Sequence, residues 1–214
     1  MPTTTTDPEE NRRIYVIAAH PHWRESRVNR RLLRAAQAVP GVEVNDLYAT
    51  YPDYAIDVRA EQARLARADL VVLLHPIQWY SMPALQKLWV DDVLDYGWAY
   101  GPGGRALEGK DCWLVATTGG PEASYHPQSY NRYFFDAFLP PYEQTAALCG
   151  MRFLPPLMFH GARSAPSSEV EAHVEVFAER LASYPEWPEM DEIDACIACP
   201  VPQTDRPVDH HEEA

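Results

Sequence analysis

Three stretches of the chain carry residue types whose spacing suits chemistry on a phosphorylated, flat ligand. The first runs His20-Pro-His-Trp-Arg-Glu-Ser26-Arg-Val-Asn29. Ser26 and Asn29 stand at the predicted start of a helix, where unpaired amides and the helix dipole favour a phosphate dianion. His20 and Arg27 are placed to add cationic donors; the plainer reading is a helix N-cap beside a loop histidine. The second, His75-Pro-Ile-Gln-Trp-Tyr80-Ser-Met-Pro83, sets backbone amides and wide rings beside one another, as an aromatic heterocycle requires or as an aromatic core plug would. In the third, Thr117-Thr118-Gly119-Gly120, the glycines let backbone approach a flat ligand and offer amides to a developing negative charge, unless the pair is a simple turn.

The elements that must hold these stretches can be read from periodicity. Ile14 to Ala19 and Leu70 to Leu74 are short, wholly apolar runs, the pattern of strands buried on both faces of a parallel sheet. Val42 to Leu47 alternates enough for a strand near an edge, Cys112 to Thr117 reads as a fourth strand, and Met151 to Phe159 as a fifth, partly spoiled by Pro155-Pro156. Helices are expected from Arg27 to Ala38 with Ser26 as cap, from Asp57 to Ala68, from Pro83 to about Tyr96, and from Ser167 or Ser168 to Ser183. Tyr130 to Cys149 reads as one helix interrupted by Pro140-Pro141 and closed by Gly150. The alternation predicts an α/β fold: a doubly wound, five-stranded parallel sheet with helices on both faces and ligands beyond the carboxyl ends of the strands.

Each of the three stretches follows a predicted strand, so all would open onto one rim. No G-x-G-x-x-G or G-x-x-x-x-G-K-[ST] pattern occurs, which argues against a dinucleotide-binding Rossmann site or a P-loop. Singly, each stretch has an ordinary explanation. Jointly, a phosphate site, an aromatic cradle and a glycine amide edge at successive strand ends describe a pocket for flavin mononucleotide.

With these residues the chain resembles the flavodoxin-like NAD(P)H:quinone oxidoreductases, a family that includes DT-diaphorase, the modulator of drug activity B and the ancillary proteins of glutathione-gated potassium efflux. The resemblance runs from about Arg13 to Ala182. It rests on His20-Pro-His with Ser26-x-x-Asn29, on Pro76-Ile-Gln-Trp-Tyr-Ser-Met-Pro-Ala-Leu85, on Asp95-Tyr-Gly-Trp-Ala-Tyr-Gly101 and on Thr117-Thr-Gly-Gly120. The doubled histidine, the Gly-Trp-Ala-Tyr-Gly-Pro-Gly-Gly stretch and Tyr130-Asn-Arg-Tyr are most similar to the potassium-efflux branch.

The resemblance implies that His20, Ser26, Val28 and Asn29 hold the phosphate and ribityl end of the flavin. Pro76, Ile77, Gln78, Trp79 and Tyr80 would cradle the ring system, and Thr117, Thr118, Gly119 and Gly120 would meet its pyrimidine edge. Tyr125 matches a tyrosine that hydrogen-bonds the flavin in the family. The histidine that partners it there is replaced here by Tyr130 or Asn131, with His126 nearby but out of register, and neither Asn nor Tyr can become a cation at neutral pH. FMN is the cofactor implied, with FAD as the alternative, and NAD(P)H the reductant of a quinone or similar electrophile. A homodimer is implied too, in which Trp98 and Tyr100 line a neighbour's pocket. Two other roles stay open: an ancillary subunit of a potassium/proton efflux antiporter, and a one-electron flavodoxin carrier.

Composition bounds the rest. Of 13 net negative charges, eight fall in residues 185–214, where nine acids face Arg206 alone. The body is thus only mildly acidic and lacks a Lys/Arg stripe, which excludes a nucleic-acid partner by charge. No run approaches the roughly 20 apolar residues of a membrane helix, and four scattered cysteines do not make a disulfide framework, so a reducing cytoplasm is expected. The expected organisation is a flexible arm at 1–12, a flavin-binding domain at 13–184 and an acidic, Pro-rich tail at 185–214. In that tail Cys196-x-x-Cys199 with His210 and His211 has the residues of a metal site, but disorder-like composition favours incidental thiols, and no metal is expected.

Overall fold

The computed structural model describes residues 13–190; the predicted arm and the Cys196/Cys199 segment lie outside them. Five strands form one parallel sheet: β1 (Ile14–Ala18), β2 (Val42–Asp46), β3 (Leu70–Pro76), β4 (Asp111–Thr117) and β5 (Arg152–Phe159), in the order β2-β1-β3-β4-β5. Among the described residues six α-helices accompany them: α1 (Asn29–Ala38), the single turn α2 (Leu47–Thr50), α3 (Val58–Arg67), α4 (Ala84–Val93), α5 (Pro140–Leu148) and, after the last strand, α6 (Ser167–Ser183).

Alternation along each central strand divides the apolar residues between two layers. Ile14, Val16 and Ala18 face α1 and α6 with Leu32, Ala36, Phe177 and Leu181; Tyr15 and Ile17 face α2 to α5 with Leu47, Leu65, Trp89 and Tyr142. Every residue of β1 and β4 is buried, the consequence of helices on both faces. Successive connections leave β1 for β2 on one side and for β3 on the other, so a crevice opens between the carboxyl ends of β1 and β3.

Local departures from the expected pattern have physical reasons. Pro140 and Pro141 do not interrupt a helix but begin α5, where the missing N–H groups cost nothing; residues 130–139 form a loop and a 3-10 turn instead. The helix expected to start at Arg27 starts at Asn29, and Ser26 caps it from outside, its Oγ accepting from the Arg30 amide at 3.2 Å. Neither Ser167 nor Ser168 caps α6, whose N-cap is Pro166. The Pro155-Pro156 pair is accommodated because β5 is an edge strand whose pairing with β4 shifts register between Trp113 and Val115, the Trp113 indole donating to the Pro155 carbonyl at 3.0 Å.

Residues just beyond Tyr184 pack against the body of the domain. Trp187 is 5% exposed, sits 4.8 Å from Trp113 ring to ring, and lies under the Arg180 guanidinium, which also pairs with Glu189. A buried tryptophan is worth several kcal/mol of burial, roughly the 3–5 kcal/mol its removal costs, and it fixes residues 185–190 to the body.

Candidate functional site

Two adjoining cavities, of about 490 and 510 Å³, lie at the carboxyl ends of the strands and share Ile77, Gly119 and Arg163. All three predicted loops line them.

The first cavity is walled by His20, Ser26, Val28 and Asn29 from the β1–α1 loop and by Pro76, Ile77, Gln78 and Thr117. Asn29 is 2% exposed; its Nδ2 donates to Thr117 Oγ1 at 2.7 Å, while its Oδ1 has no hydrogen-bond partner. A buried amide oxygen without a donor costs about 1–3 kcal/mol, which a ligand hydroxyl would recover. The cationic donors expected here are fewer than the sequence suggested. His20 is pushed down to about 4, first by burial and then by neighbouring His22, so its ring is neutral; its Nδ1 accepts from the His22 amide at 3.0 Å. Arg27 spends its guanidinium on the Arg163 and Ala165 carbonyls at 2.8 and 2.9 Å.

The second cavity is aromatic. After β3 the backbone reverses in a two-residue turn, the Gln78 amide donating to Ser81 O at 2.8 Å and the Ser81 amide to Gln78 O at 3.1 Å. Its central residues, Trp79 and Tyr80, have φ of 50° and 65°, a left-handed pair normally filled by Asn and Gly. Holding two bulky aromatics there stores backbone strain, and such strain gathers at binding sites. Trp79 is 93% exposed, so burial does not offset its strain. Tyr80 stacks on Phe138 and its hydroxyl reaches Asn131 Oδ1 at 3.3 Å; Asn131 in turn donates to Ser124 Oγ at 3.0 Å. Asn131 thus ties the aromatic turn to the opposite loop.

On the far wall, Thr118 is buried and its hydroxyl donates to the Gly120 carbonyl at 2.8 Å. Gly119 is exposed to the cavity, and a β-carbon on it would stand 3.1 Å from Arg163 Nε. Tyr125 packs edge-on against Phe135 and Phe138, and burial raises its phenol above the ordinary range while the Thr118 hydroxyl opposes the shift.

One sequence expectation is corrected by this geometry. His126 lines neither cavity: it is exposed, edge-on to Phe134, with its Nδ1 accepting from the Gln128 amide. Trp98 and Tyr100 are partly buried against the α2–α5 layer and stand outside both cavities of their own chain. Conversely, the loop after β5 supplies two residues the sequence reading did not single out. His160 lies 5.6 Å from Tyr125 ring to ring with Nδ1 3.0 Å from Thr118 Oγ1, and Arg163 lines both cavities. The rule that directed attention to strand ends would have found them, had the prolines of β5 not weakened that strand.

Among the described residues no group of His, Cys, Asp and Glu could hold a metal ion, and no helix is long and apolar enough to cross a membrane.

A flavodoxin-like fold family model matches residues 12–183. The chain belongs to that family. It is 44% identical over 173 residues to the glutathione-regulated potassium-efflux system ancillary protein KefF of Klebsiella aerogenes, covering 81% of this chain and 97% of that protein. Among solved structures, general stress protein 14 of Treponema denticola, in complex with FMN, is 36% identical with a TM-score of 0.73 over 79% of this chain and 97% of that one. A putative quinone reductase from Klebsiella pneumoniae is 26% identical with a TM-score of 0.69, covering 82% and 85%. A structure described as a thermophilic tryptophan halogenase from Streptomycin violaceusniger is 39% identical with a TM-score of 0.75, covering 78% and 97%. One architecture therefore carries several descriptions, and the site must distinguish among them.

Proposed function

We propose that the protein is an NAD(P)H-dependent flavin oxidoreductase that holds FMN and reduces quinones or similar small electrophiles. The observation that carries this reading is the joined cavity. Its one half offers a helix start with a buried, unpartnered Asn29 Oδ1, and its other half a strained aromatic turn facing glycine amides. The FMN bound by the Treponema denticola protein of the same fold supports it.

In this reading Ser26, Val28 and Asn29 bind the phosphate and ribityl end through helix-start amides and the free Asn29 oxygen. Neutral His20 donates a hydrogen bond rather than a charge. The Pro76-to-Tyr80 turn orients the ring system, and Gly119 and Gly120 present amides at its pyrimidine edge. Tyr125 and Tyr130 screen the ring from water. Bound there, the flavin would supply hydride exchange between a pyridine nucleotide and a two-electron acceptor. The exposed aromatics at the opening, Trp79 and Tyr130 in its wall and Tyr133 packed on Phe138, support closure of the site by a second copy of the chain. In such a dimer Trp98 and Tyr100 stand near the neighbour's pocket.

A second reading is favoured by the 44% identity to KefF: the same folded domain serves as the ancillary subunit of a potassium-efflux transporter at the membrane face. The two roles can coexist in one chain.

The test begins with purified, air-oxidised protein. Heat release followed by chromatography is expected to yield FMN near one per chain, and NADPH or NADH is expected to bleach the protein and a quinone to restore its colour. Folded protein that retains neither FMN nor FAD after reconstitution, or oxidises no pyridine nucleotide when loaded, defeats the enzyme reading. Co-purification with a potassium antiporter would then leave the ancillary role standing alone.

A further inference from the structure

The aromatic half of the site has a single charged residue in its walls. Among the described residues that line it, only Arg163 carries a charge; the others are aromatic, apolar or neutral polar. His126 stands outside the cavity, and His160 has its Nδ1 engaged with Thr118 while burial disfavours its charged form.

The placement of Arg163 is fixed by backbone rather than by side-chain pairing. The Gly161 amide donates to Gly120 O at 2.8 Å and the Ala162 amide to Thr118 O at 2.9 Å, which locks the β5–α6 loop to the glycine loop. The Arg163 carbonyl is held by Arg27 at 2.8 Å. From that anchored position the guanidinium lies along Gly119, where the two cavities meet. No carboxylate of the described residues lies within ion-pair distance of it. Glu25 is the one acid lining either cavity, and it lies on the other side of the junction.

A ligand that puts its phosphate at Ser26 to Asn29 and its ring against the Trp79-Tyr80 turn passes its ring-to-chain junction over Gly119. In a flavin that region includes N1 and the C2 carbonyl. A hydride brings two electrons and one proton; added to the neutral oxidised ring it leaves one negative charge, which is shared over that edge, while the pyridine nucleotide departs as its oxidised cation. A cation preorganised at that place stabilises the reduced ring more than the oxidised one. We propose that Arg163, from the β5–α6 loop, is this cation. The proposal rests on the flavin reading above.

The experiment uses full-length protein loaded with FMN: wild type, Arg163→Gln and Arg163→Lys. The two-electron midpoint potential is measured anaerobically against a reference dye, with dissociation constants of oxidised FMN and riboflavin from fluorescence quenching. Arg163→Gln should bind oxidised FMN within about threefold of wild type, yet lose about tenfold in its preference for the reduced ring, a potential about 30 mV more negative. Arg163→Lys, which keeps the charge, should recover most of that loss. An unchanged potential in Arg163→Gln overturns the proposal. So does a loss of FMN affinity with riboflavin affinity and potential intact, since Arg163 would then be a phosphate ligand. Wild-type protein that takes up no flavin would instead remove the underlying flavin reading, and this proposal with it.

Discussion

The two ends of strand β4 use polar groups in opposite ways. At its amino end Asp111, 4% exposed, accepts two hydrogen bonds from Arg152 at 2.8 and 3.0 Å and one from the Tyr184 hydroxyl at 2.7 Å. Beside it Trp113 is wedged against Phe177 and Trp187. At the carboxyl end of the same strand, Asn29 Oδ1 is buried without a partner, Trp79 and Tyr80 hold left-handed backbone, and Arg163 faces the cavity without a carboxylate. One end has spent its hydrogen-bonding capacity on the fold. The other has kept it for something outside the chain, at a cost of about 1–3 kcal/mol for each buried unpaired group. The difference teaches that stability and recognition are segregated along a single strand, so substitutions at the two ends should separate the two properties.

The largest effect is expected at the satisfied end. Asp111→Ala strips Arg152 and Tyr184 of their shared acceptor and should cost about 3 kcal/mol, the lower range for breaking a buried pair, because Arg152 stays partly solvated. For a domain of this size that lowers Tm by roughly 6–12 °C. Affinity for FMN in the surviving folded protein should be unchanged. Calorimetry paired with flavin titration checks both, and a joint loss would break the segregation.

The second effect is a pH slope. His75 is fully buried at the end of β3 and burial pushes it down to about 4, with only a backbone contact to Pro76 opposing the shift. Unfolded, its imidazole titrates near 6.5. Between those values the unfolded chain holds a proton the folded chain refuses. Stability therefore falls as pH drops from about 6.5 towards 4, by up to about 1.4 kcal/mol per pH unit for this one group. His20 and His173, also held near 4 by burial, add in the same direction but are partly exposed and count for less. Denaturant unfolding of His75→Asn across this range should show a shallower slope than wild type. An identical slope would mean that His75 is not where the protein's acid sensitivity resides.

Much of the fold was legible because burial on both faces writes itself into sequence: Ile14-Tyr-Val-Ile-Ala and Leu70-Val-Val-Leu-Leu have no alternation to misread. Prolines were the less faithful guides. Pro140-Pro141 reads as an interruption until one knows that the preceding segment is not helical, and Pro155-Pro156 weakens a strand that tolerates them at an edge. Trp187 lay in an acidic stretch whose average composition hid one strong anchor. For the site, position after a strand proved a better signal than chemical type. Ser26, Asn29, Gln78 and Gly119 meet because their strands are neighbours, whereas His126, chosen for its proximity in sequence to Tyr125, points elsewhere. His160 and Arg163, distant in sequence, reach the site because β5 pairs with β4.

The smallest effect bears on the sharpest feature of the rim. Trp79 is 93% exposed with φ of 50°, so it contributes little burial and carries a left-handed penalty of roughly 1–2 kcal/mol. Trp79→Gly removes that penalty and loosens the unfolded chain by about 0.5–1 kcal/mol, leaving a net gain on the order of 0.5 kcal/mol. Removal of Trp113, buried at the other end of the sheet, would cost about 3–5 kcal/mol. The same Trp79→Gly substitution should weaken FMN binding several-fold, because the turn loses the ring that lines the aromatic cavity. A tryptophan whose loss stabilises the protein while impairing its ligand is held in place by recognition rather than by folding. If Trp79→Gly instead destabilises by more than about 1 kcal/mol, the turn is a structural element, and the carboxyl end of the sheet is built on the same terms as the amino end.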